Sequence, residues 1–259
     1  MEETKKIKVD NLTFDCRIEG KEEGDLIIFL HGWPETSYMW KKLMSSLSKR
    51  GFYCVAPNLR GYSQGACPKE IEQYSLDKLV DDVIGIFKSF NKSNFHLIGH
   101  DWGAIIGWKL TCDYKDKILS WTGISVPHPQ SFGKAMVMDE EQIKMSQYVK
   151  NFQVLNLPEE QIRKDDFKIL RKLWEHCSND QIEDYLKVFS QTNILTATLN
   201  YYRSNYKLLK SAAQNEILGH IYVPTLFIWG NKDIAIGSTS VNEHHQYMKS
   251  EYEFLELNL

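Results

Sequence analysis

The sequence predicts an α/β fold in which a mostly parallel sheet carries helices on both faces. Continuous apolar runs, which are typical of strands buried on both faces, recur along the chain, the first at residues 26–30. Helical patterns lie between several of these runs. Strands that alternate with helices favour a parallel sheet, because parallel strands need long crossover connections.

The individual elements follow from local patterns. Residues 7–17 alternate loosely around Asp10 and Asn11, which predicts an N-terminal hairpin. Ser75 precedes apolar residues at helical spacing, so we predict a helix that begins with a Ser75 cap. Another helix is predicted over residues 102–114. The later apolar runs predict strands at residues 52–56, 95–98, 120–126, 225–229 and 252–257.

One long segment breaks the alternation of strands and helices. Residues 130–215 are helix-like, rich in charge and without a strong strand pattern, and they contain the helix-breaking pair Pro158 and Glu159. We interpret them as a helical cap inserted into the sheet domain. The predicted organisation is a core α/β domain formed by residues 1–129 and 216–259, with a cap over residues 130–215.

Composition excludes several classes of protein. The chain has 259 residues, 42% hydrophobic and 25% charged, which is ordinary for a globular protein with one sizeable core. A net charge of -3 argues against a nucleic-acid partner, which would need a basic face. The five scattered cysteines are typical of free thiols in a reducing compartment. Because neither a signal-like start nor a membrane-length apolar run is present, we expect a soluble cytoplasmic protein with no membrane span.

The strongest chemical signal follows the third long apolar run. In parallel sheets, ligands bind at the carboxyl ends of the strands. This run ends in Gly99-His100-Asp101-Trp102-Gly103, the pattern of a nucleophile elbow with aspartate at the nucleophile position. The glycines allow a tight turn close to a neighbouring backbone. The alternative interpretation is that Asp101 only caps the helix that follows it.

An aspartate at this position predicts two chemical steps. Its carboxylate is ionised near neutral pH without help from a base. It could displace a leaving group at a saturated carbon and form an alkyl ester. Water must then attack the carbonyl of Asp101 itself, and this step needs a general base and an oxyanion hole.

A second motif predicts the oxyanion hole. The run at residues 26–30 ends in His31-Gly32-Trp33-Pro34. In such folds this loop supplies one backbone N–H, here that of Trp33, and the residue after the nucleophile, here Trp102, supplies the other. A simple turn before a helix is the alternative for the loop taken alone.

Taken together, these motifs resemble those of α/β-hydrolases of the epoxide hydrolase and haloalkane dehalogenase group. The resemblance covers nearly the whole chain and implies the α/β-hydrolase fold, with Asp101 as the nucleophile. It also implies that Asp233 orients a catalytic histidine, although Asp233 could be a turn residue after Gly230. The matching segments are residues 31–34, 60–63, 99–104, 127–129 and 229–233.

The same resemblance points to two tyrosines of the cap. Epoxide hydrolases of this type use two tyrosines to donate hydrogen bonds to the epoxide oxygen, and Tyr148 and Tyr202 lie in segments similar to theirs. A tyrosine hydroxyl suits an oxygen that gains negative charge as the ring opens. The alternative is that both are packing residues, since the chain has thirteen tyrosines.

The histidine of the family has no counterpart in this sequence. It stands in a loop after the last strand, and none of the eight histidines follows residues 252–257. His244 and His245 are expected on a surface helix before that strand. Either the chain is a fragment or the protein lacks a working base. We favour a fragment, because a final helix would cover the sheet edge and its apolar surface. Without a base, an ester on Asp101 is expected to persist.

The resemblance favours hydrolysis of epoxides to diols. Haloalkane dehalogenation is the alternative, since Trp102 could donate a hydrogen bond to a leaving halide. Dehalogenases often have Asn or Glu as a second halide donor, however, and this chain has Trp33 at that position. A non-catalytic small-molecule binder on the same fold is a third hypothesis.

No metal or organic cofactor is implied, because neither a ligand cluster nor a phosphate loop is present. A small apolar substrate is suggested by aromatic residues of the cap, namely Phe132, Phe152, Trp174 and Phe189.

Overall fold

The computed structural model describes residues 3–258, and these form one eight-stranded sheet. The strands are β1 (Glu3–Val9), β2 (Leu12–Glu19), β3 (Leu26–Leu30), β4 (Tyr53–Pro57), β5 (Phe95–His100), β6 (Ile118–Ile124), β7 (Thr225–Gly230) and β8 (Tyr252–Leu257). Their order is β1-β2-β4-β3-β5-β6-β7-β8. β2 pairs antiparallel with β1 and β4, and every other pairing is parallel. The predicted mostly parallel sheet is therefore confirmed.

Helices cover both faces of this sheet. They are α1 (Lys41–Ser48), α2 (Leu76–Lys88), α3 (Trp102–Asp113), α4 (Pro129–Met138), α5 (Glu140–Met145), α6 (Gln147–Asn151), α7 (Leu157–Leu173), α8 (Asn179–Phe189), α9 (Ile194–Ser211) and α10 (Ser238–Glu243). Side chains alternate along the fully buried strand β3: Ile27 and Phe29 pack with α1, whereas Ile28 and Leu30 join the core that contains α2 and α3. Among residues 3–258, no helix is both long enough and apolar enough to cross a membrane.

Several local expectations differ from the structure. The strand expected at residues 120–126 runs from Ile118 to Ile124 and stops before Ser125, whose φ of 69° is incompatible with a strand. Ser75 does precede α2, but its side chain makes no capping bond. Instead, the Leu76 N–H donates to Asn205 Oδ1 at 2.8 Å. Pro158 does not break a helix, because it lies in the first turn of α7, where a missing N–H costs nothing.

The segment between β6 and β7 is helical and lies against the sheet domain. Helices α4 to α9 occupy it, and α7 is kinked at residues 164–167. Two polar contacts join it to the loop after β3: the Trp174 indole N–H donates to the Pro34 carbonyl at 3.1 Å, and the Thr36 hydroxyl donates to Asp184 at 2.6 Å. The segment therefore lies over the carboxyl end of β3. The division of the chain at residues 130 and 215 stays a prediction.

Candidate active site

Asp101 stands on a strained turn between β5 and α3. Its backbone has φ 52° and ψ -118°, which a residue other than glycine rarely adopts. It occupies the position before α3, but its side chain makes no capping hydrogen bond and lines a cavity instead. A side chain at Gly99 would place Cβ 2.4 Å from the Gly103 carbonyl oxygen, and one at Gly103 would place Cβ 2.1 Å from the Leu30 carbonyl oxygen. Both glycines are therefore required for this turn.

The loop after β3 holds the Asp101 carboxylate. The Trp33 N–H donates to Asp101 Oδ1 at 2.7 Å, and the Trp102 N–H also bonds to the carboxylate. Gly32 permits this approach, because a Cβ there would lie 2.3 Å from Asp101 Cβ. The two N–H groups that the sequence predicted for an oxyanion hole thus meet at the predicted nucleophile.

His31 and Pro34 shape the same loop. The Leu59 N–H donates to His31 Nε2 at 3.1 Å, and His31 Nδ1 lies 3.0 Å from the Gly32 carbonyl oxygen. Burial lowers the pKa of His31 to about 4, so the ring is neutral near pH 7. Pro34 accepts the bond from Trp174 described above. Both residues are structural parts of the loop.

The electrostatics around Asp101 suit a nucleophile. Burial raises the pKa of Asp101 to about 6, against the opposing effects of His100 and the two N–H groups. At neutral pH the group is therefore mostly a carboxylate, yet it is poorly hydrated. Attack on a carbon atom would then require little loss of water from the attacking oxygen.

Tyr148 on α6 and Tyr202 on α9 face Asp101 across the cavity. All three residues line it, and the two tyrosine rings pack edge to face with their centroids 5.9 Å apart. Burial and the charge of Asp101 raise the pKa of both tyrosines, so both are protonated donors. The Trp102 ring packs edge to face against the Tyr202 ring, with 5.2 Å between the centroids. The structure therefore brings the two predicted tyrosines together at the predicted nucleophile.

Asp233 follows β7 and lines the same cavity. Its carboxylate accepts bonds from the Ser125 hydroxyl at 2.7 Å and from the N–H groups of Ala235 at 2.8 Å and Ile236 at 3.1 Å. The two N–H groups stand two and three residues after Asp233, which is the pattern of an Asx turn, so Asp233 holds the turn after β7 and also lines the cavity. Within residues 3–258, no histidine makes a hydrogen bond or ion pair with it.

The cavity has a volume of about 470 Å³, which is within the usual range for small-molecule sites. Of the aromatic residues expected to contact a ligand, Phe152 and Trp174 line it. Phe132 lines a smaller neighbouring cavity, whereas Phe189 is fully buried against other core rings. The other apolar walls are formed by Trp33, Pro34, Pro158, Ile162, Ile169, Leu173, Ile234 and Ala235.

Sequence reasoning missed an ion pair in this cavity. His100 Nδ1 lies 3.2 Å from Glu35 Oε2, and both side chains line the cavity. Burial opposes protonation, but the charge of Glu35 and the nearby Asp101 and Asp233 raise the pKa of His100 to about 9. His100 is therefore protonated at neutral pH and unsuited to act as a base. A glutamate directly after the His-Gly-Trp-Pro motif was the signal that could have indicated the pair.

One histidine lies in a different environment from the one expected. The sequence analysis placed His244 on a surface helix, which is wrong. It is buried in a short turn after α10, 4.3 Å from the Phe227 ring centroid, and its Nε2 lies 2.6 Å from the Tyr252 hydroxyl. Burial lowers the pKa of His244 to about 3. A position on the inner side of the turn, against β7 and β8, explains the difference.

Comparison with known proteins identifies the family. The family model for the alpha/beta hydrolase fold matches residues 25–256. The chain belongs to the α/β-hydrolase fold family. The fold expected from the sequence is therefore confirmed, and the protein is a hydrolase.

This α/β-hydrolase is similar in sequence to several known proteins. It is 30% identical to the AB hydrolase superfamily protein YfhM of Bacillus subtilis, a match that covers 88% of this chain and 80% of that protein. It is 32% identical to epoxide hydrolase 4 of Mus musculus, over 88% of this chain and 65% of that protein. The chain thus spans about two thirds of the length of this mammalian relative.

Solved structures of epoxide hydrolases are similar to this chain over nearly its whole length. An epoxide hydrolase of Bacillus megaterium in complex with an inhibitor matches with a TM-score of 0.88 at 26% identity, over 98% of this chain and 92% of that one. The epoxide hydrolase VrEH1 of Vigna radiata matches with a TM-score of 0.82 at 26% identity, over 98% and 91%. The resemblance to epoxide hydrolases that the motifs suggested is confirmed.

Proposed function

We propose that this α/β-hydrolase opens small apolar epoxides by attack of the Asp101 carboxylate on a ring carbon. One observation carries the proposal: a carboxylate on a strained turn faces two neutral, buried tyrosine hydroxyls across one cavity. An epoxide needs a nucleophile at carbon and an acid at oxygen on opposite sides of the ring. The names of the relatives support the same substrate class.

In the first step, an Asp101 oxygen forms a bond to a ring carbon while the bond from that carbon to the ring oxygen breaks. The ring oxygen takes the electron pair of the broken bond and a proton from Tyr148 or Tyr202. The two tyrosine rings lie 5.9 Å apart in the wall of the same cavity, so either hydroxyl could supply this proton. The product is a hydroxyalkyl ester of Asp101.

In the second step, water attacks the ester carbonyl of Asp101. The N–H groups of Trp33 and Trp102 already bind this carboxyl group and would stabilise the oxyanion that forms. Asp233 would orient the base that takes the proton of the water. None of the histidines in residues 3–258 bonds to Asp233, so with these residues alone we expect the ester to accumulate.

Each part of the proposed organisation has a role in this mechanism. The core over residues 1–129 and 216–259 would supply the nucleophile, the oxyanion hole and Asp233. The cap over residues 130–215 would supply both tyrosines and most of the apolar wall. The five free cysteines support the proposed cytoplasmic location, where thiols stay reduced.

Dehalogenation has weaker support. It would require the Trp102 indole N–H to bind a leaving halide, but that indole packs against the ring of Tyr202, with 5.2 Å between the centroids. Trp33 also replaces the Asn or Glu that often supplies the second halide donor. Formation of a covalent product would rule out the third hypothesis, a non-catalytic small-molecule binder.

Intact-mass spectrometry after incubation with styrene oxide tests the proposal. The protein should gain the mass of one styrene oxide, and Asp101→Asn should not gain it. Accumulation of diol instead of an adduct would contradict the expected persistence of the ester. If neither an adduct nor a diol forms, the proposed function is contradicted.

A further inference from the structure

A second, much smaller cavity is lined by the same reacting groups as the first one. Asp101, Tyr148 and Tyr202 line both cavities, but the second has a volume of only about 20 Å³ against about 470 Å³ for the first. A space of that size holds about one water-sized group. Its remaining walls are Trp102, Ile105, Val126, Phe132, Met136, Val149, Leu209 and Ile236.

Close packing of α4 against α9 keeps the second cavity small. Phe132 and Met136 lie one turn apart on α4 and share the face that lines this cavity. Gly133, between them, lets the two helices touch, since a Cβ there would lie 2.2 Å from the Leu209 carbonyl oxygen. All the residues that narrow the cavity are buried. The restriction is therefore part of the packed interior and not a surface loop.

The unequal cavities constrain which epoxides fit. A ring held between Asp101 and the tyrosine pair lies against the three residues that line both cavities. The substituents of a trans epoxide leave its two carbons in opposite directions, so one must enter each cavity. The large cavity accepts a long apolar group, whereas the small one accepts a hydrogen or a methyl group.

We infer that the substrates of this enzyme are terminal epoxides, or epoxides with no more than a methyl group on the second carbon, that carry one long apolar substituent. This inference rests on the proposed function and extends it to a substrate class. Forcing additional methylene groups into a packed interior is costly enough to slow a reaction about tenfold or more.

Four isomers of epoxyoctane test the inference at constant composition and similar hydrophobicity. They are 1,2-epoxyoctane, trans-2,3-epoxyoctane, trans-3,4-epoxyoctane and trans-4,5-epoxyoctane. The rate of epoxide consumption is measured with the protein in excess, so that persistence of the ester does not affect it. The first two isomers should react at similar rates, and the last two about tenfold more slowly or worse.

Two variants enlarge the small cavity, and one matched variant enlarges the large one. Met136→Ala and Leu209→Ala should raise the rate with trans-4,5-epoxyoctane relative to the rate with 1,2-epoxyoctane by about tenfold. Leu173→Ala, a truncation in the large cavity, should leave this ratio unchanged. The rate with 1,2-epoxyoctane in each variant reports whether that variant is folded.

The outcomes separate the inference from the proposed function. If trans-4,5-epoxyoctane reacts as fast as 1,2-epoxyoctane with the unmodified protein, the inference is wrong and the proposed function stands. The inference is also wrong if both cavity variants react with 1,2-epoxyoctane but neither changes the ratio. If no isomer and no styrene oxide reacts, the proposed function fails and the inference fails with it.

Discussion

The two halves of the candidate site are held in different ways. On the sheet side, Asp101, Trp33 and Asp233 each follow the end of a parallel strand and are fixed by backbone hydrogen bonds of 2.7 to 3.1 Å. On the helical side, Tyr148 and Tyr202 are positioned by ring packing. Tyr202 lies 5.9 Å from Tyr148 and 5.1 Å from Phe152, measured between ring centroids.

This difference matches the two chemical tasks. The nucleophile must be held within a fraction of an ångström of its target carbon, and rigid backbone contacts provide that precision. The proton donors must adapt as an oxygen moves away from carbon, and packed rings on a helical segment permit small shifts. We therefore expect changes on the sheet side to have larger effects than comparable changes on the helical side.

The largest effect is expected for Asp101→Asn. An amide oxygen is not an effective nucleophile, so the rate of adduct formation should fall at least about 10³-fold. Stopped incubations analysed by intact-mass spectrometry measure this rate. A variant that still forms the adduct at a comparable rate would assign the nucleophile to another residue.

On the helical side, Tyr148→Phe and Tyr202→Phe should each slow alkylation by about 10²-fold, the usual cost of losing one donor to a developing oxyanion. Because the two tyrosines are in contact and would donate to the same oxygen, the double variant should fall short of the product of the single effects. Tyr206→Phe, one turn further along α9, is the matched control and should be neutral. If Tyr148→Phe and Tyr202→Phe react as fast as Tyr206→Phe, the two tyrosines take no part in the chemistry.

The pH dependence sharpens the account of the sheet side. The pKa of Asp101 is raised to about 6, and only the ionised form attacks. The alkylation rate should therefore rise about tenfold between pH 5 and pH 7 and then level off. A pH series of adduct formation measures this curve. A rate that is flat from pH 5 to pH 7 would show that the nucleophile has an ordinary carboxyl pKa.

A contact between the two halves should have a smaller effect. Trp174→Phe retains a ring in the cavity wall but removes the N–H that donates to the Pro34 carbonyl beside Trp33. Loss of one neutral hydrogen bond is worth about 1 kcal/mol, so alkylation should slow about fivefold. The measurement is the alkylation rate at saturating styrene oxide. If the alkylation rate of Trp174→Phe falls as far as the rates of the tyrosine variants, the helical side is as rigid as the sheet side.

The smallest effect concerns stability. Because folding raises the pKa of Asp101 to about 6, ionisation of its carboxyl group lowers the free energy of unfolding. This destabilisation is absent below about pH 4 and fully present above about pH 6. Asp101→Asn removes this cost at neutral pH and should raise Tm by about 2–4 °C. Thermal unfolding at pH 7 and pH 4 tests the sign, since the gain should vanish at pH 4.

The sequence predicted the sheet side better than the helical side. The elbow at Asp101 and the loop at Trp33 depend on glycines at fixed local spacing, and such local patterns are visible in one sequence. The capping of α2 by Asn205, 129 residues away, was not visible. The burial of His244 was missed for the same reason. These contacts depend on how distant segments pack, which no local pattern encodes.

The most direct test of the central claim is to locate the modified residue. After incubation with styrene oxide, the protein is digested and mapped by tandem mass spectrometry, with and without hydroxylamine, which cleaves esters but not thioethers. The account predicts a hydroxylamine-sensitive modification on Asp101. A modification confined to any of the five free cysteines, or one that persists in Asp101→Asn, would contradict it.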